Sequence, residues 1–364
     1  MYLNSSEDVE EECNVQPMEM YIYWKLLLVV LYGSVGIASL LGNLLVVLIV
    51  LMRKEMQTVT NIFISSVSLA DLVITGVSLW ATPLAKYLQV WIFGESMCYV
   101  VASLQGTSLI WVPFTLAAIA IDRYLMIACP FRKQMSVRMC LLIIIGIWAS
   151  AFVVLTPSIA NLKYLEFSCN HKYCLENWRP YNEYRLLYGI SVLVIRSAIP
   201  LAVIAWCNWR IATIVDSQEN KFQRSSLNSN PVDNSRKQKL HATLKAMVII
   251  FAVSSFPLDL FNVLQDLSVV THKELVPLDI VDFLYFSSHW IAMTGNLLNP
   301  LVYAWWNENF RRQIQAILAE FRGENPNSRG SYSVILSKNH GFRKQEASVV
   351  EKQELDISEG DVQV

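Results

Sequence analysis

Charge is scarce in this chain of 364 residues. Lys, Arg, Asp and Glu together supply 16% of it, where soluble domains carry about 25%. The 29 basic and 30 acidic residues leave a formal net charge of -1, so there is no basic surplus to attract nucleic acid. The cysteines and histidines show no metal-ligand spacing, and the sequence has neither a Gly-rich phosphate loop nor a nucleophile motif. No enzyme, cofactor or nucleic-acid partner is therefore expected. The first 25 residues are acidic and lack the basic region and short apolar core of a cleavable signal. The first long apolar stretch is expected to serve as its own insertion signal.

What is abundant is apolar sequence, 54% of the chain. A bilayer core of roughly 30 Å needs about 20 apolar residues per helix. Seven stretches reach that length, approximately Leu26–Met52, Thr60–Ala85, Met97–Ile127, Met139–Ala160, Leu186–Ile214, Ala246–Leu267 and Ile280–Trp306. They do not alternate as barrel strands do. An all-α membrane protein with seven spanning helices is expected, with an N-tail over 1–25, a bundle over 26–306, a juxtamembrane helix over 307–322 and a disordered tail over 323–364. That juxtamembrane helix, "NENFRRQIQAILAEF", sets Phe310, Ile314, Ile317, Leu318 and Phe321 on one face beside Arg311 and Arg312, a pattern suited to membrane lipid.

Basic residues set the orientation. Arg53 and Lys54 follow the first stretch, Arg132, Lys133 and Arg138 the third, a longer basic run the fifth, and Arg311 and Arg312 the seventh. The N-terminus is thus expected outside and the C-terminus in the cytoplasm. Asn4 heads an "NSS" glycosylation sequon on the outer side. The polar loop from Val215 to Leu240 is expected to be mobile. Cys13, Cys98, Cys169 and Cys174 fall outside or at outer helix ends, where disulfides form. Cys129, Cys140 and Cys207 are expected to be free.

Several charges interrupt the apolar runs. Asp122 and Arg123 end a stretch, Ser96 to Ile121, that holds no charge at all. Gln105 stands five turns before Arg123, which places the two on one helix face roughly 27 Å apart. Asp259, Asn262 and Asp266 recur at i, i+3 and i+7, a stripe suited to a cationic ligand. Arg196 lies deep in the fifth stretch and needs a counter-charge. Asp259 is the best candidate, with Gln105, a backbone carbonyl or water as alternatives.

Asp122-Arg123-Tyr124, "GNLLVV" around Asn43, "SLADL" around Asp71, Trp148, Pro200, Pro257 and "NPLVY" from Asn299 through Pro300 to Tyr303 occur one motif per helix. In that order they resemble the rhodopsin-like G-protein-coupled receptors. "MQTVTNIFI", "WIFGESMC", "CLENWRP", "PLDLFNVLQD" and "SHWIAM" with His289 resemble the neuropeptide Y and neuropeptide F type receptors. Tachykinin-type receptors share part of this set.

The resemblance implies a plasma-membrane receptor for an amidated neuropeptide, acting through heterotrimeric G proteins and arrestin. It implies a Cys98–Cys174 disulfide, leaving Cys169 to Cys13. It implies ligand contacts at Gln105, Asp266 and His289; the spacing adds Asp259 and Asn262, and Arg196, which the resemblance does not supply, is expected at the same cavity as the partner of Asp259. Coupling falls to Asp122, Arg123, Tyr124 and Tyr303, with Asp122 restraining Arg123 at rest. Asn43, Asp71, Phe251, Pro257, Asn299 and Pro300 form the implied activation core. Asp71 matches a sodium-site carboxylate, although Val112 and Gly295 stand where polar residues are usual. A proton or a water cluster is the alternative occupant. The chain departs from the family at Ser255, where a tryptophan is usual, and at Pro113 and Asn208. Tuned coupling or weak coupling would each fit such departures, whereas intact Asp122, Arg123, Tyr124, Asn299, Pro300 and Tyr303 argue against the alternative of a non-signalling peptide scavenger. A transporter is the remaining class, but the sequence has no internal repeat to support it.

Overall fold

The computed structural model describes residues 22–129, 134–166, 172–180, 182–224, 231–306 and 308–321. Asn4, Cys13, Cys169 and the tail from Gly323 lie outside them. The helices are α1 (Ile22–Met52), α2 (Val59–Leu88), α3 (Gly94–Ala128), α4 (Val137–Asn161), α5, α6 (Pro231–Thr271), α7 (Leu278–Trp306) and α8 (Glu308–Phe321). Helix α5 runs through Asn182–Leu193, a π-helical turn at Val194–Ala198, and Ile199–Arg224. One antiparallel hairpin, β1 (Leu162–Glu166) with β2 (Lys172–Glu176), joins α4 to α5.

Side-chain caps set two of the starts. Thr58 accepts from the Asn61 N–H to open α2, and Ser136 accepts from the Met139 N–H to open α4, each satisfying one orphan donor of a first turn. Helix α2 ends where Gln89 turns left-handed at φ 58°. Once helical, these segments satisfy their backbone polar groups internally, as a bilayer demands.

Six described helices are long and apolar enough to cross a membrane. Helix α7 has the length, 29 residues, but carries Ser287, Ser288, His289, Thr294, Asn296 and Asn299. Most of these make internal hydrogen bonds, so its polarity is directed into the bundle. Helices α2 and α3 form the centre: 61% of the apolar stretch of each is buried, against 17% for α4 and α6. Tyr32, Val35, Ile74, Leu79, Phe286 and Met293 join α1, α2 and α7 in one apolar cluster. Close approach there needs Gly42, where an added Cβ would come within 2.9 Å of Pro300 Cγ.

Two expectations change. The segment over 215–240, expected to be mobile loop, is helical to Arg224 and again from Pro231, which leaves only 225–230 outside the described residues. The hairpin was not anticipated. Its Leu162 is buried in a cluster with Ala81, Trp91, Cys98 and Val101, so it seals one end of the bundle. Helix α8 belongs to a separate compact unit and keeps the one-sided apolar pattern of its sequence.

Candidate functional site

Two polar constellations lie at opposite ends of α3, joined by a buried polar core. At the first end, Cys98 at the start of α3 is disulfide-bonded to Cys174 of β2, the pairing the family likeness implied. Cys129, Cys140 and Cys207 are free thiols. Glu176, two residues beyond Cys174, accepts hydrogen bonds from Ser158 and from Trp178 Nε1. The hairpin is thereby fixed to the end of α4. On β1 and β2, Glu166 lies 3.3 Å from Lys172 and raises the pKa of its ammonium.

Behind this hairpin, α5 and α6 are joined by two arginine–aspartate pairs. Arg185 Nε lies 2.8 Å from Asp266 Oδ1. Deeper in the bundle, Arg196 pairs with Asp259, as the isolation of both charges required, and both residues are buried. The second carboxylate oxygen, Asp259 Oδ2, accepts from Ser197 Oγ at 3.4 Å. The π-helical turn contains Arg196, and such turns recur at functional sites. The expected acidic stripe is therefore neutralised from α5 before any ligand arrives. Asn262, its third member, is exposed.

Gln105 Oε1 accepts from Thr82 Oγ1 of α2 at 3.3 Å, so it is not the partner of Arg196. His289 is 1% exposed. Its Nδ1 lies 3.1 Å from Tyr32 OH, and its ring stacks with those of Tyr32 and Tyr285. It ties α7 to α1, while its Nε2 is buried without a partner. Lys86 and Asp282, 2.9 Å apart, link α2 to α7 at the same end.

The polar core lies between. Asp71 is fully buried, and its Oδ2 accepts from Asn299 Nδ2 at 2.8 Å. Its Oδ1 and the neighbouring Ser68 Oγ have no partner. Such an orphaned carboxylate oxygen beside a hydroxyl suits a proton, water or a monovalent cation. Among the described residues no group of three or more His, Cys, Asp or Glu gathers to hold a metal ion. Asn43 donates to the Ser39 and Asn296 carbonyls, each at 3.0 Å, linking α1 to α7. Trp111 Nε1 donates to Ser66 Oγ at 2.8 Å, linking α3 to α2. Gly295 of α7 lies against Ser254 of α6, where an added Cβ would overlap Ser254 Oγ. The polar residue missing at position 295 thus has its place taken by the Ser254 side chain. Phe251 and Pro257 are half-buried on α6.

At the far end of α3, Asp122 is buried, but Arg123 is not turned onto it. The guanidinium donates to Thr60 Oγ1 of α2 and lies 3.8 Å from Met126 Sδ one turn ahead. Thr60 supplies an uncharged acceptor across the α2–α3 contact, beside the electrostatic attraction of the adjacent Asp122. The Tyr124 ring meets Trp206 of α5 edge-on at 5.1 Å. Tyr303 lies on α7, with its side chain outside the described set.

The "7 transmembrane receptor (rhodopsin family)" sequence profile matches residues 42–303. The chain is 29% identical over 320 residues to the neuropeptide FF receptor 2 of Rattus norvegicus, covering 84% of this chain and 76% of that receptor. It is 30% identical over 318 residues to the neuropeptide F receptor of Drosophila melanogaster, covering 81% and 63%. With the RYamide receptor of the same fly it shares 29% over 315 residues, covering 83% and 65%.

Proposed function

Because the chain belongs to the rhodopsin family of seven-transmembrane receptors, we propose that it is a plasma-membrane receptor for a C-terminally amidated neuropeptide and activates heterotrimeric G proteins. The similar receptors are those for neuropeptide FF, neuropeptide F and RYamide, which favours an RF- or RY-amide-like ligand. The disulfide end faces outside and the Arg123 end faces the cytoplasm, in line with the basic residues that follow α1, α3, α5 and α7.

The observation that carries this reading is the separation of the two constellations along α3. The ligand end offers Gln105, Asn262 and the α5–α6 acidic groups, beneath a hairpin stapled to α3 by the Cys98–Cys174 bond. Asp266 is the more accessible acid, 15% exposed, with its partner Arg185 at 37%. A cationic peptide side chain can compete there with Arg185 for the Asp266 carboxylate.

The coupling end offers Arg123, which donates to Thr60 and lies against Met126. A guanidinium whose hydrogen bonds go to neutral groups can exchange them for a carbonyl-rich helix end of a G-protein alpha subunit. Tyr124 follows it in sequence, Tyr303 of α7 joins it in coupling, arrestin uses the same face, and α8 rests on the inner lipid surface.

The test is a panel of amidated peptides, each paired with its free-acid form, added to cells that display the chain. Second-messenger change and arrestin recruitment by the amidated members alone is the expected result. No response from any peptide, with the chain confirmed at the surface, refutes the proposal.

A further inference from the structure

The α5–α6 interface is held by charge at two depths, and the two pairs are not equivalent. Arg185 and Asp266 keep access to solvent at 37% and 15%, so water and salt screen them. Arg196 and Asp259 keep only 10% and 8% of their side-chain surface. Separating that pair leaves two desolvated charges, the case in which a buried ion pair resists opening most strongly.

The backbone around the deeper pair is the most interrupted part of both helices. In α5 the Ile199 N–H reaches back five residues to the Val194 carbonyl, closing the π-helical turn that contains Arg196. Pro200 then brings no N–H, so the Arg196 carbonyl loses its usual acceptor role in the helix ladder. In α6, Pro257 interrupts the ladder two residues before Asp259. Packing changes at the same level. Helix α6 rests on the Asn182–Leu193 half of α5, whereas Ile199–Arg224 rests on α3. The pair therefore stands where the two helices are most compliant and where their mutual packing changes.

We infer that the Arg196–Asp259 ion pair is a latch between α5 and α6, closed in this structure, which sets how strongly the receptor signals without ligand. The inference rests on the G-protein reading proposed above. With the pair closed, the part of α6 that follows Pro257 cannot shift or turn against α5 without separating the two charges, which fixes the segment from which the other half of α6 hinges at Pro257. Asp259 is further held by Ser197, so Ser197 and Asp259 together position the Arg196 guanidinium. Opening the latch involves no covalent step, only exchange of this pair for contacts with water, ligand or other bundle groups.

The test compares wild type, Arg196→Gln, Asp259→Asn and the reversed pair Arg196→Asp with Asp259→Arg, at equal surface density. Ligand-free nucleotide exchange on an added heterotrimeric G protein is one readout. Amide hydrogen exchange over α6 residues 255–262 in nanodiscs is the other. Each single variant is expected to raise ligand-free nucleotide exchange about tenfold, equivalent to about 1.4 kcal/mol, and to speed amide exchange. The reversed pair is expected to bring both back toward wild type. Where a single variant does not reach the membrane, Arg196→Gln with Asp259→Asn strands no charge and, joined at most by a neutral hydrogen bond, carries the same expectation as the singles.

Wild-type values of both readouts in these variants overturn the latch, as does a reversed pair no better than the worse single. If amide exchange follows the expected pattern but no variant moves nucleotide exchange on any G protein, the latch as a helix–helix restraint is upheld. The G-protein reading is then the part that fails.

Discussion

Replacing Gly295 by alanine tests whether α6 and α7 meet as closely as described. The added Cβ would overlap Ser254 Oγ and lie 3.0 Å from Ser254 Cβ, inside the 3.5–4.0 Å optimum for carbon contacts. Rotation of Ser254 can move its Oγ, but its Cβ moves only with the α6 backbone. Overpacking of this kind costs about 1–3 kcal/mol. The gain in helix propensity from Gly to Ala, about 1 kcal/mol, opposes it and must be removed by controls. Gly146 and Gly76 supply them, because a Cβ there meets nothing within 4 Å. Thermal unfolding of the purified receptor, at one scan rate in one detergent, is the assay. Gly295→Ala should unfold at lower temperature than Gly146→Ala and Gly76→Ala. Ser254→Gly in the Gly295→Ala background should recover most of the difference. If Gly295→Ala is as stable as the controls, the α6–α7 contact is looser than the geometry states and the reasoning fails.

Other expectations follow from named contacts. Cys98→Ser or Cys174→Ser should each cost about 2–5 kcal/mol and give the same loss of surface receptor as the double variant, because either removes the one bond; unequal losses would argue for another pairing. Asp71→Ala leaves Asn299 Nδ2 without its acceptor and should destabilise by about 1–3 kcal/mol, while adding Asn299→Ala should bring little further loss. Additive losses in unfolding measurements would mean that the two do not interact. Tyr32→Phe removes the hydroxyl that faces His289 Nδ1 and should cost about 1 kcal/mol. In the His289→Phe background the same change should cost less, because only the bond Tyr32 OH donates to the Phe286 carbonyl remains to be lost, and a double-mutant cycle on thermal stability reads the difference directly.

The fold was legible where it depended on length and charge. Long apolar runs marked seven spans, six of which are long and apolar enough as helices to cross a membrane, and the deep isolation of Arg196 in one run and Asp259 in another was enough to join them. Isolated charges in an apolar medium leave few choices of partner. Arg185 gave no such signal, since it sits among polar neighbours at the start of α5, and its claim on Asp266 depends on how α5 and α6 face each other. The Arg123 contact with Thr60 was hidden for a related reason. A hydroxyl 63 residues away carries no pattern, whereas the adjacent Asp122 looked like an obvious partner. His289 read as a ligand contact through the family likeness of "SHWIAM", yet its partner Tyr32 lies 257 residues away. The π-helical turn was equally hidden, since one extra residue in a helical turn barely alters the apolar pattern of a helix lined with lipid-facing side chains. The hairpin owes its place to the Cys98–Cys174 bond and the burial of Leu162, both of which are tertiary.

The central claim is that ligand arriving at the disulfide end is read out through Arg123 at the other. Its most direct measurement is nucleotide exchange by purified heterotrimeric G protein on receptor in nanodiscs, with and without an amidated peptide, for wild type and Arg123→Ala at matched peptide occupancy. The account predicts peptide-stimulated exchange by wild type and none by Arg123→Ala, with peptide affinity largely preserved. Saturable peptide binding to both proteins with no exchange by either would contradict it and make the chain a peptide-binding protein that does not signal through G proteins.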